Sequence, residues 1–322
     1  ARKLTRSVAQ LRPSGFAESL RDCALLGAST TSVIFPVNSS SPQSFADHLA
    51  ACWRMGRTGR SAEALDEARR LYELAQAAED GPAMAECLTQ IAWFCLQLGL
   101  ADEGIDCAVA AKDLWSQHGR THGHANASAI YSWLLVEMGL VDEGFAEAET
   151  AMRLAEMQPD RGMLAFAMNA KAIALMYCRQ DQLALPLLER CLELVSGLDA
   201  RSEEALYLTN LAYSQVSMAE AAESRGDMAE GRSLRSSAIA TNDSAIAMAE
   251  GCGDSWALRT ALCNGAEYHA LIGEMDRAGA CLERWEGVAG AVGLRERIHY
   301  LYTRAELLTR TGRLAEALAL SE

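Results

Sequence analysis

Three histidines, His118, His122 and His124, stand in a His-x3-His-x-His spacing. Imidazoles so placed could ligate zinc or nickel. No cysteine or carboxylate close by in sequence completes the set, and Gly119 and Gly123 mark a mobile loop. No metal is therefore expected. The ten cysteines, Cys23, Cys52, Cys87, Cys95, Cys107, Cys178, Cys191, Cys252, Cys263 and Cys281, form no CxxC pair. They are expected to be reduced thiols that act as small buried hydrophobes. The sequence holds no P-loop, HExxH, dinucleotide glycine fingerprint, GxSxG or kinase signature. It reads as non-catalytic and free of cofactors. What remains is the chemistry of contact. Trp53, Trp93 and Trp133 recur every 40 residues, and tryptophan offers a large contact area for little entropy. Asn169, Asn210 and Asn264 each carry a donor and an acceptor that match an extended peptide backbone. Glu220, Glu267 and Glu306 follow in the second half, 47 and 39 residues apart.

The chain that must position them has 322 residues, 50% of them hydrophobic and only six of them proline. Ala, Leu, Glu and Arg, all good helix formers, dominate, and long β-branched runs are missing. The formal charge is −14. Such a surface repels phosphate backbones, which argues against nucleic acid and favours a basic partner. No run approaches the ~20 apolar residues of a membrane span. The opening residues Ala1 to Pro13 are basic but lack the apolar centre of a secretory signal. A cytoplasmic location is expected.

One phrase recurs: a turn glycine followed five places on by a small residue. It spans Gly59 to Ala64, Gly99 to Gly104 and Gly139 to Gly144, then Arg179 to Ala184 with the glycine replaced. It returns as Gly226 to Gly231, Gly273 to Ala278 and Gly312 to Ala317. The turns are 40, 40, 40, 47, 47 and 39 residues apart. Seven residues before each turn stands another small residue: Cys52, Ala92, Ser132, Ala172, Ala219, Ala266 and Ala305. Glycine ends a helix at low steric cost, and an antiparallel helix follows. Small residues at the two registers let the pair approach closely. Neither helix can bury its apolar stripe alone, so each pair must stack on its neighbours.

The expected pairs lie near 44–78, 82–118, 122–157, 161–196, 202–250, 254–291 and 294–322. Residues 1–43 read as N-terminal capping helices and a linker rich in Ser, Thr and Pro. In the fifth pair Ala212 keeps the 40-residue register but the turn at Gly226 comes seven residues late. Seven residues is close to two helical turns, so the insertion lengthens a helix without rotating its face. The end at Ser321-Glu322 falls inside the last expected helix, as in a fragment of a longer protein.

This pattern resembles the tetratricopeptide repeat, with small residue, turn glycine and second small residue in that family's order. It covers about residues 44–322. The copies depart from it in being longer than the family's repeat and in lacking its closing proline. His48, Leu88, Ser128 and Met168 stand where the family has its early tryptophan. The resemblance implies an all-α, right-handed superhelical solenoid of about seven antiparallel helix pairs. It implies a concave face lined by the residue after each small one: Trp53, Trp93, Trp133, Ile173, Glu220, Glu267 and Glu306, with Tyr213 in the alternative register of pair five. The tryptophans either line that groove or fill gaps between neighbouring helices. The asparagines either hold a peptide or bond one another between helices. The glutamates are either solvated surface or a site for a basic peptide.

Long degenerate repeats of this kind resemble those of bacterial regulatory proteins, among them peptide-responsive regulators, maltose-type transcriptional activators and arrays joined to diguanylate cyclase (GGDEF) domains. The implied function is a protein- or peptide-binding regulatory module in a larger signalling protein. The alternatives are a dimerisation scaffold with no ligand, acting as a homodimer, or the arm of a transcriptional activator.

Overall fold

Strong helix formers fill the intervals between the turn residues, and a computed structural model folds every such interval into a helix. It describes residues 45–320. The capping helices and linker expected over 1–43, with Cys23, and the terminal Ser321 and Glu322 lie outside the described residues. The described residues contain fourteen helices and no strand. In consecutive packed pairs they are α1 (Phe45–Arg57) with α2 (Ser61–Ala77), α3 (Gly81–Leu98) with α4 (Ala101–Gln117), and α5 (Thr121–Glu137) with α6 (Val141–Glu156). Then come α7 (Arg161–Tyr177) with α8 (Asp181–Val195) and α9 (Arg201–Ser224) with α10 (Met228–Cys252). The last are α11 (Ser255–Leu271) with α12 (Met275–Glu286) and α13 (Leu294–Arg310) with α14 (Leu314–Ala319).

The two helices of a pair are buried differently, and the sequence explains it. The second helix hides one stripe. In α4 the stripe is Gly104, Ala108, Ala111 and Trp115, and in α6 it is Gly144, Ala148, Ala151 and Ala155. That four-three-four spacing keeps one face inward. The first helix is packed on several sides: every residue from Cys87 to Gln97 of α3 is buried. Fully burying a side chain such as Phe94 or Ile130 stabilises the fold by ~1.5–3 kcal/mol.

The registered small residues meet as their spacing requires. Ser132 of α5 donates to the backbone oxygen of Gly144 in α6 at 2.7 Å. At the fourth turn Arg179 takes a left-handed φ of +58° in place of glycine. The seven-residue insertion in pair five lengthens α9 and α10 to 24 and 25 residues. Ala212 and Ala219 are both fully buried, so the two registers share one face.

Pairs of a solenoid ordinarily touch only their neighbours. Here the first and last thirds of the array also meet. Ala291 N–H, in the segment after α12, donates to the carbonyl of Gly59 at 2.9 Å. Arg57 of α1 pairs with Glu203 of α9, and Arg295 of α13 with Glu137 of α5 at 2.9 Å. The first helices of the pairs therefore enclose a central space.

Candidate binding groove

Part of that space is filled by the protein's own rings. Trp53, Trp93 and Trp133 of α1, α3 and α5 meet in succession, tilted and then edge to face, with centroids 5.7 and 5.9 Å apart. Phe166 of α7 and Trp256 of α11 reach Trp93 from the far side at 5.9 and 5.7 Å. Trp256 also meets Trp133 at 5.9 Å. Trp93 and Trp133 are only 7% and 4% exposed, whereas Trp53 is half-buried. A void of about 50 Å³ is left among Trp53, Arg57, Gln97, Phe166, Glu203 and Leu206. At its edge Asp254 caps α11 by accepting from Ala257 N–H at 2.9 Å. Burial pushes its carboxyl above the ordinary range.

Farther along, the space stays open. A cavity of about 340 Å³ lies between α5, α7, α11 and α13, with Glu137, Tyr177, Thr260, Arg295, His299 and Tyr302 on its walls. Tyr177 and Tyr302 are 48% and 62% exposed, and Tyr213 on the intervening α9 is 42% exposed. The Arg295 guanidinium lies over the Trp133 and Trp256 rings at 6.0 and 5.8 Å, so the aromatic cluster and the open cavity share a wall. The expected glutamates already have partners. Glu267 accepts from Thr303 Oγ1 at 2.7 Å and faces His299 Nε2 at 3.2 Å. Glu306 pairs with Arg310 at 2.7 Å, and the exposed Glu220 with Arg179 at 3.5 Å. Ile173 is buried. Asn210 Nδ2 donates to Oδ1 of the buried Asn169 at 2.8 Å, a bond between α9 and α7. Asn264 is buried within α11.

No protein-family model matches the sequence, and no curated protein matches it. Solved structures do. A Rap protein complexed with competence and sporulation factor aligns at 12% identity and a TM-score of 0.54, covering 85% of this chain and 76% of that one. The apo form of RapI aligns at 11% identity and a TM-score of 0.55, covering 86% and 94%. A tetratricopeptide repeat protein from Parabacteroides merdae gives 14% identity and a TM-score of 0.44, over 87% and 91%. The chain is a tetratricopeptide-like helical array. At such identities the likeness is one of fold.

Several residues of the tetratricopeptide-like array that shape its interior were not singled out by spacing. Trp256, Phe166, Tyr177 and Tyr302 fall outside the 40-residue series. Arg295 and Glu137 come together only because the array closes. The histidines differ from the expected loop. His118 caps α4, whereas His122 and His124 lie in the first turn of α5, because that helix begins at Thr121. Asp160, from the next pair, bonds His122 at 3.0 Å. Among the described residues no group of three His, Cys, Asp or Glu could hold a metal ion. The nine described cysteines are free thiols. Burial pushes Cys87, Cys107 and Cys191 up to about 12, so they stay protonated and inert near neutrality. No helix among the described residues is long and apolar enough to cross a membrane.

Proposed function

We propose that the array is a non-catalytic interaction module that binds an extended, basic peptide segment along the open part of its inner face. The observation that carries this reading is the cavity edged by exposed Tyr177 and Tyr302, with Glu137, paired to Arg295, on its wall. Tyrosine gives contact area at low entropic cost, and carboxylates recognise lysine and arginine. The net charge of −14 steers a basic partner toward the protein. One of the solved relatives is a Rap protein in complex with competence and sporulation factor, and a peptide-binding role here fits that fold. The wider context we propose is a cytoplasmic bacterial regulator in which the array acts on an attached output domain, such as a GGDEF cyclase or a transcriptional activator.

A fluorescent peptide library titrated against the full chain tests the reading. Basic peptides should bind best, and more weakly as salt rises. Tyr177→Ala and Tyr302→Ala should each weaken binding about tenfold or more, as ~1.4 kcal/mol or more lost from an aromatic contact implies. Wild-type affinity in both variants would sink the site.

A further inference from the structure

The contact between distant pairs is built from backbone, and it has a preformed half. The segment 287–293 between α12 and α13 runs past the turns of the first two pairs. Gly59 and Gly290, at φ +79° and +104°, touch so closely that a Cβ on Gly290 would lie 2.6 Å from the Gly59 oxygen. A Cβ on Gly293 would lie 2.6 Å from the Gln97 oxygen and 3.1 Å from Leu98 Cα. On its other side the same segment is gripped by Arg259 of α11, a guanidinium only 1% exposed. Its nitrogens donate to the carbonyls of Val288, Ala289, Gly290 and Ala291 at 3.1, 2.9, 2.9 and 3.1 Å. Glu296 completes the grip, 3.3 Å from Arg259 and accepting from Gly293 N–H at 2.9 Å.

We propose that residues 287–293 form a clasp that holds the array in a closed ring, and that the ring opens without unfolding. Arg259 and Glu296 shape the clasp from within pairs six and seven, so its form does not depend on closure. Each helix pair keeps its packing on its sequence neighbours when the clasp releases. What is lost is one backbone hydrogen bond, the two ion pairs Arg57–Glu203 and Arg295–Glu137, and the far side of the tryptophan cluster. Those ion pairs are partly exposed and so weakened by salt. Opening would uncover Trp93 and Trp133, which closure covers with Trp256. The clasp thus sets how much of the aromatic part of the inner face is available. This inference stands whether or not the open cavity binds a peptide.

Small-angle scattering, tryptophan emission and far-ultraviolet circular dichroism on the full chain test it without any ligand. Gly293 has φ −69° and ψ 161°, which alanine adopts freely, so Gly293→Ala strains only the contact with Gln97 and Leu98. The variant should show a larger radius of gyration and red-shifted emission with its helical signal unchanged. Arg57→Glu should shift both readouts the same way, and adding Glu203→Arg should bring them back. Scattering and emission unmoved in Gly293→Ala and in Arg57→Glu would overturn the proposal. So would loss of helix in Gly293→Ala, because closure would then be part of folding and not a separable contact.

Discussion

At Arg259 one guanidinium reaches four carbonyls that no helix or strand would pair, Nη1 donating to Ala291 and Nη2 sharing its two hydrogens among Val288, Ala289 and Gly290. A lysine could not replace it, since a single ammonium lacks the fork that spans them. Glu296 beside it shows two opposed influences. Burial raises its carboxyl, while the Gly293 N–H and Arg259 pull it down, and burial wins. His124 carries the clearest pH consequence. Burial, and then Lys112, hold its pKa below 6.5, with Glu147 and Asp113 opposing. Folding therefore favours the neutral ring. The unfolded chain takes up its proton first as pH falls, so this stabilisation is present above about 6.5 and is lost below it. The thermal midpoint should drop between about pH 7.5 and about pH 5.5, and His124→Gln should reduce that drop. An equal drop in the variant would assign the acid sensitivity elsewhere.

At the scale of the helix, the repeat was legible because its determinants are local. A turn residue and two small residues at fixed distances decide where two helices cross, and all three lie within one stretch of chain. Gly144 illustrates the stringency. A Cβ there would meet Val136 Cγ2 at 2.5 Å and the Ser132 oxygen at 2.9 Å. Gly144→Ala should cost ~1–3 kcal/mol by overpacking, read as a lower urea midpoint with an unchanged slope. Ala184 and Ala278 hold the same register, fully buried, so pairs four and six are spaced to accept the methyl. The long fifth pair was legible for the same reason, since an insertion of two turns keeps the face. Arg259 was not. Its partners are carbonyls of a segment that looks in sequence like a helix-to-helix connection, and no side-chain pattern marks a carbonyl that needs a donor. Gly290 and Gly293 are visible in the sequence, but the neighbours that forbid a side chain at these positions, Gly59 and Gln97, belong to the first two pairs.

Across the whole molecule, the tryptophan series changes meaning. Read along the chain, Trp53, Trp93 and Trp133 are equivalent positions in successive pairs. Read in space, they are one wall of an interior whose other wall is Trp256, and only the first of those walls is deducible from the repeat. The open cavity bridges the same divide, with Glu137 and Tyr177 on one side and Arg295 and Tyr302 on the other. An occupant of that cavity touches both sides of the closure, so binding and closing would reinforce one another by linkage.

Closure also has a kinetic signature. Helix pairs stacked on their neighbours assemble through short-range encounters, which are fast. The Arg57–Glu203 contact spans 146 residues, and a junction of that separation must wait until the intervening pairs have formed, because the long loop is costly to close before then. Refolding from urea should therefore recover ellipticity first and the emission of the tryptophan cluster in a later, slower phase. Simultaneous recovery in a stopped-flow experiment would contradict this order. During that lag the nascent array presents Trp93 and Trp133 to solvent. The protein is then at its most adhesive between finishing its helices and joining its ends.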